Sequence, residues 1–268
     1  MKNERSYVLD DDSLAAQRLR MLDSTYGPAS RRLLSHLIEP GMRVADFGCG
    51  PGLLTNWVAE QMGPEGYVVG VDSSAEFIAY ARSQAASLKR NGVQFTNSDV
   101  LATPLSPREF DLVFCRFLLV HLQRPLDCLR EMARLLKPGG WLVAEECELS
   151  SGFTEPHCPE YQMMLQAMVQ IGLAINVDYD LGPKLPGLFR ALGFERLQIH
   201  VQQPTYMQGE KKRFWEYTFI EGAEKAIASG LTAREKVERL ANRVSAITCD
   251  TETVVGLSRS FQVWCQKQ

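Results

Sequence analysis

Along the chain, short apolar runs alternate with longer segments whose apolar positions recur every three to four residues. From residue 42 onward, "RVADF" (43–47), "YVVGVD" (67–72), "VQFTNSD" (93–99), "FDLVFCR" (110–116) and "GWLVAEEC" (140–147) read as strands. Between them, "LLTNWVAEQM" (53–62), "AEFIAYARSQAASLKR" (75–90) and "PLDCLREMARLLK" (125–137) carry helical periodicity. Gly63-Pro64, Asn91-Gly92 and Pro138-Gly139-Gly140 supply the stops. Ahead of the first strand, Ser13 to Asp23 and Ala29 to Ile38 are helical, with Gly27-Pro28 as a break between them.

Strands alternating with helices predict βαβ units and a parallel sheet covered on both faces. The strands lack a clean period of two, which suits burial on both sides. Ligands on such sheets bind outside the carboxyl ends of the strands. Asp46, Asp72, Asp99, Arg116 and Glu145 all fall at or near those ends. After residue 150 the rhythm changes. "EYQMMLQAMVQIGLAI" (160–175) is a Met-rich helix, "LPGLFRALGFERLQIHV" (185–201) resumes the sheet, residues 210–248 are helical, and "SFQVWCQK" (260–267) is a last strand. The expected organisation is a helical arm (1–40), a core (41–149), a cap insertion (150–184) and a sheet-completing part (185–268) with a second insertion over about 203–258.

Composition narrows the function classes. The 268 residues are 45% hydrophobic and 23% charged, enough for a sizeable core, and the net charge is −3. A dedicated nucleic-acid or anionic-membrane binder would carry a basic excess. The cluster Lys211-Lys212-Arg213 lies in a run with glutamates and reads as a solvated helix face. Cysteines stand at 49, 115, 128, 147, 158, 249 and 265, never as a CxxC pair, so neither a zinc site nor a disulfide framework is expected. Reduced thiols, an N-terminus "MKNERSYVLDDD" without an apolar core, and no run of membrane-spanning length predict a cytoplasmic protein.

The chemistry concentrates in "VADFGCGPG" (44–52). A dinucleotide fingerprint needs G-x-G-x-x-G, but after Gly48 and Gly50 the third position is Leu53, and Gly52 is the extra glycine. Glycines at 48, 50 and 52 let the backbone approach a ligand and adopt positive φ. The helix that follows offers its first N–H groups to an anion. The pattern D-x-G-x-G-x-G resembles that of class I S-adenosylmethionine (SAM)-dependent methyltransferases. "VVGVDSS" (68–74), "FTNSDVLATPL" (95–105), "FDLVFCRFLLVHL" (110–122) and "LLKPGGWLVAEE" (135–146) continue the resemblance in order. It covers roughly residues 40–147, with weaker matches at 185–201 and 260–267.

This resemblance implies a Rossmann-like, doubly wound, mostly parallel seven-stranded sheet with SAM as cofactor and S-adenosylhomocysteine as product. It also implies cofactor contacts from Asp46, Gly48, Gly50, Gly52, Asp72, Ser73, Asp99, Val100 and Arg116, with Asp72 on the ribose and Asp99 near the adenine amine. Tyr7 and Tyr26 in the arm are candidates to fold over the cofactor.

For the transfer itself, His121 and Glu145 are the candidate catalytic groups. Glu145 and Glu146 are adjacent on a strand, so they face opposite ways and at most one enters a pocket. His157 is too poorly anchored to rank. The aromatic and thioether-rich insertions, including Met164 and Trp215, predict a mid-sized, partly apolar small-molecule acceptor. The long C-terminal part departs from the ubiquinone/menaquinone-type C-methyltransferases and favours a natural-product acceptor over a quinone. Two other readings stay open: a relative of this fold that keeps SAM for a non-methylating role, and a nicotinamide oxidoreductase. The sequence also leaves a homodimer open.

Overall fold

The computed structural model describes residues 14–88, 92–228 and 233–268. Within them the chain runs α1 (Leu14–Ser35), β1 (Arg43–Phe47), α2 (Leu53–Met62), β2 (Tyr67–Asp72), α3 (Ala75–Ser87), β3 (Val93–Asn97), β4 (Phe110–Arg116), α4 (Pro125–Leu135) and β5 (Leu136–Glu148). It continues through β6 (Phe153–Glu155), α5 (Pro159–Ala174), α6 (Leu185–Ala191), β7 (Gln198–Gln202) and β8 (Thr205–Tyr206). The last elements are α7 (Phe214–Ala228), α8 (Arg234–Cys249), β9 (Val254–Gly256) and β10 (Arg259–Gln266).

Among the described residues, seven strands form the main sheet in the order β3-β2-β1-β4-β5-β10-β7. The first five are mutually parallel, and β10 runs antiparallel to both β5 and β7. Val44, Ala45, Phe47, Val68, Val69, Val71, Leu112 and Val113 are all fully buried, as strands covered on both faces require. The chain order reverses between β1 and β4. That switch point opens a crevice at the carboxyl ends of the two strands.

Three local expectations are corrected. Gly27-Pro28 does not break the arm, for α1 runs through it. Pro28 has no N–H for the Ser24 carbonyl, but Lys211 Nζ donates to that oxygen at 2.6 Å. At Gly27 a Cβ would lie 2.4 Å from Arg31 Nη1 and 2.9 Å from Asp23 Oδ1, so glycine leaves room for the Asp23–Arg31 ion pair. The fifth strand starts at Leu136, directly after α4 and ahead of Pro138, and a register shift between Phe110 and Leu112 absorbs the glycine turn. Third, a separate antiparallel sheet, β6-β9-β8, lies within the insertions. Its strands are two or three residues long, too short to show a period.

The insertions do not hang free. Tyr26 and Met21 of α1, Tyr161 and Met164 of α5, Phe214 and Phe219 of α7, and Val244 of α8 belong to one buried cluster. The arm and the cap therefore share a core above the crevice.

Candidate functional site

The site begins where β1 ends and the chain turns through residues 48–52 into α2. Gly48 N and Cys49 N donate to Val71 O at 2.8 and 3.1 Å, which ties the loop to β2. Gly48, Gly50 and Gly52 have φ of 69°, 53° and 78°. Their surroundings differ. A Cβ at Gly48 would lie 2.8 Å from Leu118, and one at Gly52 2.8 Å from the Phe95 ring, whereas one at Gly50 would meet nothing within 4 Å. The sequence reading gave all three to ligand approach. In the fold, Gly48 and Gly52 are glycine because protein packs against them, and Gly50 alone of the three faces open space.

Asp72, the last residue of β2, organises this floor. Its Oδ2 accepts from Gly50 N at 2.9 Å and its Oδ1 from Ser74 N at 2.8 Å. Each oxygen keeps a second lone pair for a ligand hydroxyl. Asp46 lies beneath, only 3% exposed, and accepts from Thr55 Oγ1 at 2.6 Å. Burial pushes its carboxyl up to about 7, against the opposing pull of the Thr55 hydroxyl and the Arg116 guanidinium. The helix α2 starts at Gly52 without a side-chain cap, and Leu53 and Leu54 of its first turn line the cavity.

From this floor a cavity of about 380 Å³ extends under the arm and the cap. One wall is the exit of β4. Phe117 there is a non-glycine residue at φ 51°, held by its N–H to Glu145 O at 2.8 Å. A bulky side chain in the left-handed region is uncommon and collects at functional sites. The next three amides, of Leu118, Leu119 and Val120, donate to the Glu146 carboxyl. Burial pushes Glu146 up to about 8 in spite of those three bonds. His121 follows on the cavity wall, its ring edge-on to Tyr179 with centroids 5.7 Å apart.

The other wall comes from helices. Leu19, Leu22 and Tyr26 of α1 face Met168 and Ile171 of α5 and Phe214, Trp215 and Phe219 of α7. Tyr26 is fully buried, donates its hydroxyl to Ser258 O at 3.0 Å and packs edge-on against Phe117. It is at once an arm anchor and a cavity residue. Asp23 fastens the arm to the sheet by accepting from Arg31 Nη2 at 2.6 Å and Arg116 Nη2 at 3.0 Å. Burial alone would raise the Asp23 carboxyl, but the Arg116 and Arg31 guanidiniums outweigh it and hold it below its usual value.

The cavity brings together Tyr26, Asp46, Gly48, Gly50, Asp72, Arg116, His121 and Trp215 of the expected site residues. Others lie elsewhere. Gly52 is behind the loop, and Ser73 is on the surface. Asp99 is exposed and accepts from Leu101 N at 2.8 Å, closing its own turn, while the Val100 side chain is buried in the core. Tyr7 lies outside the described residues.

The two strand glutamates do point apart, but neither reaches the cavity. Glu145 is enclosed by donors: Ser30 Oγ at 2.7 Å, Ser260 Oγ at 2.8 Å and Gln262 Nε2 at 3.1 Å. It is a structural carboxylate joining α1, β5 and β10, which corrects its candidacy as a base. Glu146 is occupied by amides in the same way. Met164 is fully buried in the cap core; Met168, one turn on, lines the cavity in its place. Phe117, Leu19 and Leu22 escaped the sequence reading. A left-handed phenylalanine has no sequence signature, and the inner face of an amphipathic arm looks the same whether it covers core or cavity. Among the described residues, no group of three or more His, Cys, Asp or Glu could hold a metal ion, and no helix is long and apolar enough to cross a membrane.

Known proteins resemble this chain in family and fold. Residues 38–185 match a family model described as a methyltransferase domain. An uncharacterized methyltransferase of Schizosaccharomyces pombe is 34% identical over 137 residues, 49% of each chain. A demethylmenaquinone methyltransferase of Shouchella clausii is 32% identical over 41% of this chain and 46% of its own. The chain thus spans about half the length of these relatives. Among solved structures, Haemonchus contortus phosphoethanolamine N-methyltransferase 2, in complex with S-adenosyl-L-methionine, superposes with a TM-score of 0.61 at 16% identity. That superposition covers 97% of this chain and 59% of the other, and at such identity it speaks for the fold.

Proposed function

The chain belongs to the methyltransferase-domain family, and on that premise we propose that it is a SAM-dependent methyltransferase acting on a partly apolar small molecule. The observation that carries this reading is a single cavity with two unlike ends, a polar glycine-loop floor and an apolar helical roof.

The floor fits the cofactor. Gly50 leaves the space a Cβ would fill, the Asp72 carboxylate has lone pairs for ribose hydroxyls, and the uncapped start of α2 suits a carboxylate. Asp46, where negative, favours the cationic end. When bound, SAM supplies a methyl group on a good leaving group. The protein's remaining tasks are to align the acceptor, keep water out and take a proton where the acceptor gives one up. Arg116, clamped by Asp23, and Phe117, fixed by its strained backbone, stand where floor and roof meet. His121 is the imidazole on the wall that can receive a proton. The apolar faces of α1, α5 and α7 exclude water and set acceptor shape. Such a roof suits an acceptor of natural-product type. The nicotinamide reading loses ground because the loop glycines do not follow dinucleotide spacing.

Incubation with methyl-labelled SAM and small-molecule extract of the source organism, followed by mass spectrometry, tests the proposal. A product heavier by one labelled methyl group is the expected result. SAM binding without any labelled product would point instead to a non-methylating role.

A further inference from the structure

The two edges of the main sheet are finished differently. At the β3 edge, Arg82 of α3 donates to the Phe95 carbonyl from Nε at 3.2 Å and Nη2 at 2.7 Å. A side chain thus holds a ladder position that a further strand would need. At the other edge, β7 pairs with β10 in an unbroken antiparallel register from Gln198 to Gln202. Among the described residues, no side chain bonds to the outer backbone of β7. Edge strands are ordinarily blunted by charge, proline or a bulge. The strand Gln198-Ile199-His200-Val201-Gln202 has no Lys, Arg, Asp, Glu or Pro.

Ile199 and Val201 are 50% and 42% exposed. They lie opposite Val263 and Phe261 of β10, on the sheet face where Leu185 and Phe189 of α6 share the core with Val263. β7 carries that apolar face out past its helix.

The order of side chains selects the occupant. The strand reads polar, aliphatic, polar, aliphatic, polar in either direction. A second copy, related by a two-fold axis perpendicular to the sheet beside His200, pairs antiparallel with the first. Ile199 then faces the partner's Val201, Gln198 the partner's Gln202, and His200 the partner's His200. Four β-branched side chains close into one patch on the α6 face, and no carboxylate, ammonium or guanidinium of either strand opposes the pairing.

We propose that β7 is a homodimerisation edge that joins the main sheets of two copies into one. β5 and β10 separate it from the β1–β4 crevice, so each copy keeps its own cavity. A ladder of five residues is about 17 Å long. Its interface falls below the roughly 1,200 Å² of stable complexes, so the dimer exchanges with monomer.

Sedimentation equilibrium of the full chain at rising concentration tests the proposal, in a Cys249→Ser background because that thiol is exposed. A monomer–dimer equilibrium with a Kd on the order of 10 µM is expected. Val201→Lys should raise that Kd roughly 100-fold, since the two-fold removes the aliphatic burial twice, and leave thermal unfolding of the monomer unchanged. On oxidation, His200→Cys should crosslink to itself, because facing residues of an antiparallel ladder have Cα atoms about 4.5–5.5 Å apart, within disulfide reach. Gln198→Cys should not, as it lies about 13 Å from the partner's residue 198. Monomers at every concentration, a dimer that Val201→Lys leaves intact, or crosslinking through Gln198→Cys in place of His200→Cys overturns the proposal. None of these readouts involves methyl transfer, so the proposed function stands or falls separately.

Discussion

The floor and the roof of the cavity are made from different kinds of sequence. The floor is a backbone device in which five residues, three of them glycines at positive φ, turn from β1 into α2, and one carboxylate, Asp72, holds the turn by its amides. Little freedom exists there, because each position answers to a dihedral angle or a close contact. The roof is a side-chain device. Leu19, Leu22, Met168 and Phe219 are apolar residues on amphipathic helices, and many other apolar sets would seal the same space. A floor of this kind can serve any acceptor, whereas the roof decides which acceptor fits. Separation of cofactor affinity from acceptor choice is the consequence to be tested.

The largest effect is expected from Gly52→Val. The substitution forces a β-branched residue into φ 78° and its Cβ against Phe95 and Ala81. Backbone strain and overpacking together cost on the order of 4 kcal/mol. Thermal unfolding should show a large loss of stability and titration a loss of SAM binding. A variant as stable as the parent would mean that the loop is not built as described.

In the roof, Met164→Ala and Met168→Ala should part company although they lie one turn apart. Met164 is fully buried, so truncation costs about 2–5 kcal/mol of stability and leaves SAM affinity alone. Met168 lines the cavity, so its truncation should change acceptor KM with a smaller loss of stability. Equal behaviour in melting and kinetics would erase the distinction between cap core and cavity wall.

Glu145→Gln sharpens the same contrast on the sheet. Replacing one carboxylate oxygen by an amide donor sets it against the Ser30, Ser260 and Gln262 donors. A stability loss of about 1–3 kcal/mol is expected. Single-turnover methyl transfer at saturating ligands should hardly change, and its abolition in a folded variant would restore Glu145 as a base.

These contrasts also explain what the sequence could reveal. Strands β1, β2 and β4 and helix α2 were legible to the residue, because burial on both faces leaves unbroken apolar runs and glycines mark their ends. Of the candidate site, Asp46, Gly48, Gly50 and Asp72, which line the cavity, were legible because the loop requires those residue types at that spacing. Asp99 shows where the pattern stops, since an aspartate closing its own turn and one facing a ligand look alike in sequence. Met164 and Met168 could not be told apart, as one helical turn separates core from cavity and the period is the same for both. The continuity of α1 was hidden because the donor that serves the Ser24 carbonyl in place of the missing Pro28 amide, Lys211, is remote in sequence.

The last effect is a change of slope with pH. Burial raises the folded Asp46 carboxyl to about 7, against about 3.9 in an unfolded chain. Between these values the folded state holds a proton that the unfolded state has lost. Stability from this group is therefore present below the unfolded pKa and falls as pH rises to about 7, by up to about 1.4 kcal/mol per pH unit. Glu146, raised to about 8, acts with the same sign. Asp46→Asn should flatten the stability profile between pH 5 and 7, leaving the Glu146 part. An unaltered slope in denaturant titrations would show that Asp46 is ionised throughout.

The central claim is that the glycine-loop floor holds SAM through Asp72. Calorimetric titration of SAM into the parent protein and into Asp72→Ala tests it most directly, with circular dichroism to confirm that the variant is folded. The parent should bind one SAM per chain. Asp72→Ala loses two charge-assisted amide bonds and the ribose acceptor, so its affinity should fall roughly 100-fold or more. Absence of SAM binding by the parent, or undiminished affinity in the folded variant, would contradict the account.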